Sequence, residues 1–186
     1  TGLGAVDKYG LNHLNHNGLV SKVIGGNYGL QIPFMKNLIV GNKIEAYNFP
    51  QGILSQMCRT MASKQPGIIT KVGLYTYMDP RIEGGKMNKK TKKNLIELIK
   101  IGGQEYLFYK APRPDIAIIR GTSIDKDGYV YMEHEATTRE DLSIAQAVHN
   151  NGGVVICQFK KFIKKKYTNP HLAKIPSFLI DYYVHD

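Results

Sequence analysis

The chain has 186 residues, a formal net charge of +10, 42% hydrophobic residues, 19 glycines and no tryptophan. That length suits one well-cored globular domain, and no apolar run is long enough to cross a bilayer as a helix. Two distant cysteines, Cys58 and Cys157, fit buried thiols in a reducing cytoplasm rather than a disulfide framework or a metal site.

Thr1-Gly2-Leu3-Gly4 is a loop, entered without an initiator Met, and the chain stops almost at once after its last strand. Both ends suggest a piece of a longer polypeptide. Leu11, Leu14 and Val20 place a short helix over 11–20, and a short strand covers 21–24. His13 and His16, three apart on that helix, have no carboxylate or Cys partner near in sequence, so no metal site is expected. Gly25-Gly26-Asn27-Tyr28-Gly29 is a glycine-rich turn leading to a helix over 30–40. Such turns let backbone approach a phosphate, although this one is not the G-x-G-x-x-G fingerprint.

The stretch 43–60 organises the chain. Ile44, Ala46 and Phe49 form a short buried strand, and Pro50 stops it. Ile53, Leu54, Met57, Cys58 and Met61 recur at helical spacing. Gln51 and Gly52 therefore lie where a strand's C-terminal end meets a helix N-terminus. In open α/β sheets that is the rim where ligands bind, and a helix N-terminus favours an anion there. A plain strand–helix connection would read the same way.

A further buried strand is expected over 68–74. Asp79-Pro80-Arg81 with Gly84-Gly85-Lys86 makes a rim loop. The runs 95–101 and 105–110 flank Gly102-Gly103, the signature of a hairpin and an antiparallel excursion from the main sheet. A strand covers 115–120. Asp125-Lys126-Asp127-Gly128 makes a turn that lacks the later ligands of a calcium loop. Another strand covers 129–132. A helix begins at Thr138-Arg139-Glu140-Asp141, with an N-cap and an acidic first turn. Strands over 154–159 and 178–184 follow, with Pro170 and Pro176 bracketing the link between them. This alternation predicts the α/β class: an open, mainly parallel sheet with helices on both faces, plus one antiparallel hairpin.

Much of the positive charge lies in two runs, Lys86 to Lys93 and Lys160 to Lys166. Such runs can serve nucleic acid or an anionic membrane. Here they lack interleaved aromatics and any recognisable nucleic-acid module, so solvated loops are the better reading.

Several motifs in order carry a family resemblance. They are Gly10-Leu11-Asn12-His13-Leu14, Val23-Ile24-Gly25-Gly26, Asn42 to Asn48, Pro50-Gln51-Gly52, Asp79-Pro80-Arg81 with Glu83-Gly84-Gly85-Lys86, Glu105 to Lys110, Ile119-Arg120-Gly121-Thr122 and Ile175-Pro176. The sequence resembles the family I CoA-transferases, in the acetate/propionate branch. The resemblance implies the N-terminal domain of such an enzyme, lacking its first strand–helix–strand and the whole C-terminal catalytic domain. It implies transfer of CoA between a short-chain acyl-CoA and a carboxylic acid through a glutamyl-CoA thioester, with no metal or organic cofactor.

The family's nucleophile lies in the second half of the protein, in a Glu-x-Gly type motif preceded by a Gly-rich stretch; this sequence lacks that combination, so the chain alone should be inactive. Glu45, Glu83, Glu105, Glu133 and Glu135 match no such motif and read as surface carboxylates. The resemblance makes Gln51 the supporting catalytic residue, with capping of the helix as the alternative. It makes Gly25, Gly26, Gly29 and Gly52 the substrate-binding turn, and gives Asp79, Arg81 and Lys86 a rim loop. It also implies a cytoplasmic oligomer that needs a C-terminal domain or subunit, without nucleic acid or membrane. A non-catalytic module for acyl-CoA or sugar phosphate, or a basic nucleic-acid-binding protein, are the competing readings.

Overall fold

The computed structural model describes residues 10–136, 138–164 and 170–186. The loop expected at Thr1-Gly2-Leu3-Gly4 and the end of the second lysine run, Lys165 and Lys166, lie outside them. The chain divides into two compact units, Thr1–Met57 with Gly67–Lys110, and Cys58–Pro66 with Ala111–Asp186.

In the first unit β1 (Lys22–Gly25) and β2 (Glu45–Asn48) pair in parallel, with Gly25 opposite Asn48. Between them run a short α turn, α1 (Ile32–Phe34), and a π-helical segment, Met35–Val40. These bury Phe34, Leu38 and Ile39 with Tyr28, Ile44 and Ala46. Helix α2 (Gln51–Ala62) follows β2 after Phe49-Pro50, and its Ile53, Leu54 and Met57 are buried. Phe49 packs edge-on against Tyr47 and Tyr109, at 6.2 and 5.4 Å between ring centres.

The free edge of β2 is closed by a loop. Asn48 N donates to Gly85 O at 2.9 Å and Met87 N to Ala46 O at 3.0 Å. Thr91 Oγ1 accepts from Ala46 N at 2.8 Å. The apolar and amide groups of the organising stretch thus find partners before and after it in sequence.

The expected hairpin forms. β4 (Ile96–Ile101) and β5 (Gln104–Lys110) pair antiparallel. Gly102 and Gly103 take φ of +56° and +77°, the left-handed pair that a two-residue type I′ turn requires. The strand expected over 68–74 is corrected. β3 (Gly67–Thr70) ends at Thr70, whose hydroxyl accepts from Val72 N at 3.2 Å and turns the chain. β3 joins β5 antiparallel, giving a three-stranded antiparallel sheet in the order β3-β5-β4.

In the second unit β6 (Ile116–Asp125), β8 (Val154–Ile163) and β10 (Tyr182–His185) run parallel. β7 (Val130–Tyr131) and β9 (Ala173–Ile175) add antiparallel, in the order β10-β8-β6-β7-β9. Helix α3 (Asp141–Asn150) buries Ala145 and Val148 with Ala117, Ile119, Val155 and Cys157 of β6 and β8. Ile116 and Ile118 are 62% and 77% exposed, because successive side chains of a strand point to opposite faces.

The α/β class therefore stands, with mixed sheets. Which strands share a sheet was not apparent from the alternation. Three local expectations are also corrected. The helix over 11–20 is a 3₁₀ turn, Gly10–Leu14, followed by turns. Asn12 and Asn15 there spend their side-chain oxygens on Phe34 N (3.2 Å) and Asn37 Nδ2 (2.8 Å) rather than supporting a helix. α3 starts at Asp141 without a side-chain cap; Thr138 contributes only its carbonyl, to Asp141 N at 3.3 Å. The segment 178–184 opens in a 3₁₀ turn, Ser177–Leu179, and becomes a strand only at Tyr182.

Candidate functional site

The C-terminal ends of β1 and β2 meet the N-terminus of α2 within the first unit. Phe49 N donates to Gly25 O at 2.9 Å, which fastens the chain leaving β2 to the end of β1. Pro50 then sets the direction into α2, and Leu54 N donates to Pro50 O at 3.1 Å. Gln51 and Gly52 are exposed at the helix start. A Cβ placed on Gly26 would collide with Gln51 Oε1 and lie 3.3 Å from its Cδ. Only a glycine lets this amide lie against the turn.

Four of the five residues expected here are thus brought together: Gly25, Gly26, Gln51 and Gly52. Gly29 occupies its own exposed Asx turn, its N–H on Asn27 Oδ1 at 2.7 Å. Around Gly52 a Cβ would meet no atom within 4 Å, so the helix start is open on that side.

Two side chains that sequence reasoning did not single out complete the floor. Asn48 faces the carbonyl oxygens of Gly25 and Gly26 at 3.0 Å each. Carbonyls only accept, so the facing atom is the amide nitrogen, and the amide oxygen accepts from the Tyr77 hydroxyl at 2.8 Å. The signal for Asn48 was its place before Phe49-Pro50 at a strand end. Tyr77 carried none, because its partner is 29 positions away.

The rim loop is built on Asp79, which is 1% exposed. Its carboxylate accepts from Tyr75 N (3.0 Å) and from Arg81 N (3.0 Å), Nε (2.9 Å) and Nη2 (2.7 Å). The Arg81 guanidinium holds that carboxyl well below the usual range, and it also reaches Glu105 Oε2 at 3.0 Å. Asp79 O accepts from Ile82 N, Glu83 N and Gly84 N. Asp79 and Arg81 therefore shape the loop that carries Tyr77 and Gly85. Lys86 lies where this loop bridges Tyr47 of β2.

Glu45, Glu105, Glu133 and Glu135 are engaged by other side chains. Glu45 pairs with Lys22 at 2.8 Å, Glu105 with Arg81, and Glu133 and Glu135 with Ser123 (2.6 Å) and Thr122 (3.2 Å). Glu83 is exposed. Asp125, in the calcium-like turn, spends its carboxylate on Asp127 N, Tyr129 N and the Tyr131 hydroxyl. Among the described residues no three His, Cys, Asp or Glu gather in a metal-binding group. In the same residues no helix is long and apolar enough to cross a membrane. Cys58 and Cys157 are buried and form no disulfide, and burial pushes Cys157 up to about 11. Lys89, Lys90, Lys92, Lys93, Lys160 and Lys161 are exposed.

A glycine turn, a neutral amide and a helix N-terminus at the open end of parallel strands is the ligand-rim arrangement of α/β proteins. The coenzyme A transferase family model matches residues 2–186, and the chain belongs to that family. It is 47% identical over all of its 186 residues to the acetate CoA-transferase YdiF of Escherichia coli O157:H7, covering 35% of that protein. It is 43% identical over 175 residues to the caffeate CoA-transferase of Acetobacterium woodii, covering 94% of this chain and 33% of that protein. A solved structure of the E. coli O157:H7 acyl-CoA transferase YdiF, a thioester complex with CoA, superposes with a TM-score of 0.91 at 45% identity. That match covers 96% of this chain and 37% of the other. The chain spans about a third of the length of these relatives.

Proposed function

We propose that the protein carrying this chain moves CoA between a short-chain acyl-CoA and a carboxylic acid such as acetate or propionate, and that this chain is part of its N-terminal domain. The observation that carries the reading is the Gln51 amide lying on Gly26 at the sheet rim, in a chain matched over its whole length by an acetate CoA-transferase.

The glutamate nucleophile comes from a C-terminal domain or subunit. Its carboxylate adds to the thioester carbonyl and CoA thiolate leaves, giving a mixed anhydride. The thiolate attacks the glutamyl carbonyl, forming the enzyme thioester and releasing the first acid as a carboxylate. The incoming acid takes CoA by the reverse steps. The thioester complex solved for the E. coli relative supports this intermediate.

This chain contributes polar contact. The Gln51 N–H₂ donates to the oxygen that gains charge as the carbonyl is attacked, and its neutrality leaves the nucleophilic carboxylate unpaired and reactive. Gly25, Gly26 and Gly52 keep the rim low enough for substrate. CoA is the group transferred, so no metal or organic cofactor takes part.

The engaged glutamates of this chain support a nucleophile from elsewhere. The inert buried thiols fit a reducing cytoplasm, and the exposed apolar residues of β6 fit a chain that works in a larger assembly. The test is transfer from acetyl-CoA to propionate. The full-length protein should turn over, and this chain alone should not. Turnover by this chain alone, lost on replacing one of its own glutamates, would overturn the assignment of the nucleophile.

A further inference from the structure

We infer that Asn48, oriented by the Tyr77 hydroxyl, is a positioning residue that holds the Gly25–Gly26 turn as the floor for Gln51. The inference rests on the role proposed for Gln51 above. Asn48 closes β2 and lies in register with Gly25 of β1. Its amide nitrogen lies 3.0 Å from two successive carbonyl oxygens, Gly25 O and Gly26 O. Both carbonyls of the turn are therefore drawn toward one side chain, which leaves the turn little freedom to rotate.

A primary amide can point either end at a neighbour, and the two ends differ little in shape. Here the choice is forced. Two carbonyls demand a donor, and the remaining amide oxygen accepts a hydrogen bond from the Tyr77 hydroxyl at 2.8 Å. Asp at this position would set a carboxylate oxygen against two carbonyl oxygens. Ser or Thr would be too short to reach both.

Tyr77 belongs to the loop whose backbone folds around Asp79, and Gly85 N donates to Tyr77 O at 2.9 Å. Tyr77, Asn48 and the Gly25–Gly26 turn thus form one hydrogen-bonded chain, carried by the loop that Asp79 folds, and Gln51 rests on its last member. Displacing a reacting or supporting group by about 1 Å can cost on the order of 100-fold in rate, so a slack turn should be felt in the chemical step. Tyr77 is 47% exposed, which makes removal of its hydroxyl inexpensive for folding.

The test is Asn48→Asp and Tyr77→Phe in the full-length protein, each alone and crossed with Gln51→Ala. Asn48→Asp should lower kcat roughly 10- to 100-fold with KM for the acyl-CoA little changed, and Tyr77→Phe should lower it less. In the Gln51→Ala background both should lose most of their effect, because groups acting as one unit are not additive. Hydrogen exchange of the peptide spanning 23–30 should quicken in both variants, while that of the central hairpin strand over 104–110 stays unchanged. Effects that multiply independently with Gln51→Ala, or wild-type kcat with unchanged exchange at 23–30, would overturn the inference. If Gln51→Ala itself is silent, the role of Gln51 fails; exchange at 23–30 then decides by itself whether Asn48 holds the turn.

Discussion

Parallel strands end in polar residues at two places in this molecule, and the two ends are built differently. At the end of β6, Thr122, Ser123 and Asp125 are all buried, and their polar atoms are spent on the chain itself. Asp125 accepts from two backbone N–H groups at 3.0 Å and from the Tyr131 hydroxyl at 2.7 Å. Arg120, on the same strand, bonds Gln158 and Asp186 at 2.7 Å each. At the end of β1 and β2 the buried part is backbone, and the side chain on top, Gln51, is exposed. Both regions read as polar strand ends in a one-dimensional pattern. The distinction lies in whether the hydrogen-bonding groups are already used. The first region's polar groups hold the fold, whereas the second leaves an amide exposed, as the role proposed for Gln51 requires.

Apart from loss of Gln51 itself, the largest expected effect comes from Gly26→Ala. The added methyl would strike only the end of the flexible Gln51 side chain, and Gly26 is not held at positive φ. Folding should survive while Gln51 is pushed off its floor. Transfer should fall roughly 100-fold with thermal stability near wild type. A folded variant with wild-type transfer would break the contrast from the side of the rim.

Asp125→Ala probes the other region. It strands two N–H groups and a buried hydroxyl, and should cost roughly 2–4 kcal/mol in denaturant unfolding, with whatever folds retaining its chemistry. Near-native stability would show that this polar cluster is not structural.

A smaller effect is expected at Asp141, at the start of α3. Burial, with Glu140 and Glu135 nearby, pushes its carboxyl up to about 6 from 3.8. The folded chain therefore prefers the protonated form. The stability this contributes is full below about pH 3.8 and is lost as pH rises through about 6. Asp141→Asn should stabilise by about 1–3 kcal/mol at pH 8, toward the lower figure because the positive end of α3 favours the charge, and by little at pH 4. A change in transfer without a change in stability would carry function into this region and break the contrast from the other side.

The strand–turn–helix around Pro50 was legible because local chemistry dictates it: a residue without an N–H ends the strand and suits a helix start. The Gly102-Gly103 hairpin was legible for a similar reason, since few residues accept two positive φ angles in a row. The family motifs brought Gly25, Gly26, Gln51 and Gly52 into one group, and the fold places them together. What could not be read depends on distant partners. β3 pairs with β5 across some forty positions. The asparagines of 12–17 turn outward to side chains and backbone after residue 30. Asn48 gains its meaning from Tyr77 and from two carbonyls 22 and 23 positions before it.

The central claim is that the Gln51 amide, resting on Gly26, takes part in CoA transfer. Gln51→Ala in the full-length protein tests it most directly, with the transfer rate and the unfolding free energy measured on the same preparation. kcat should fall roughly 100- to 1,000-fold, equivalent to about 2.7–4 kcal/mol of lost transition-state stabilisation, with unfolding unchanged. Wild-type transfer with lowered stability would contradict it and leave Gln51 as a helix cap.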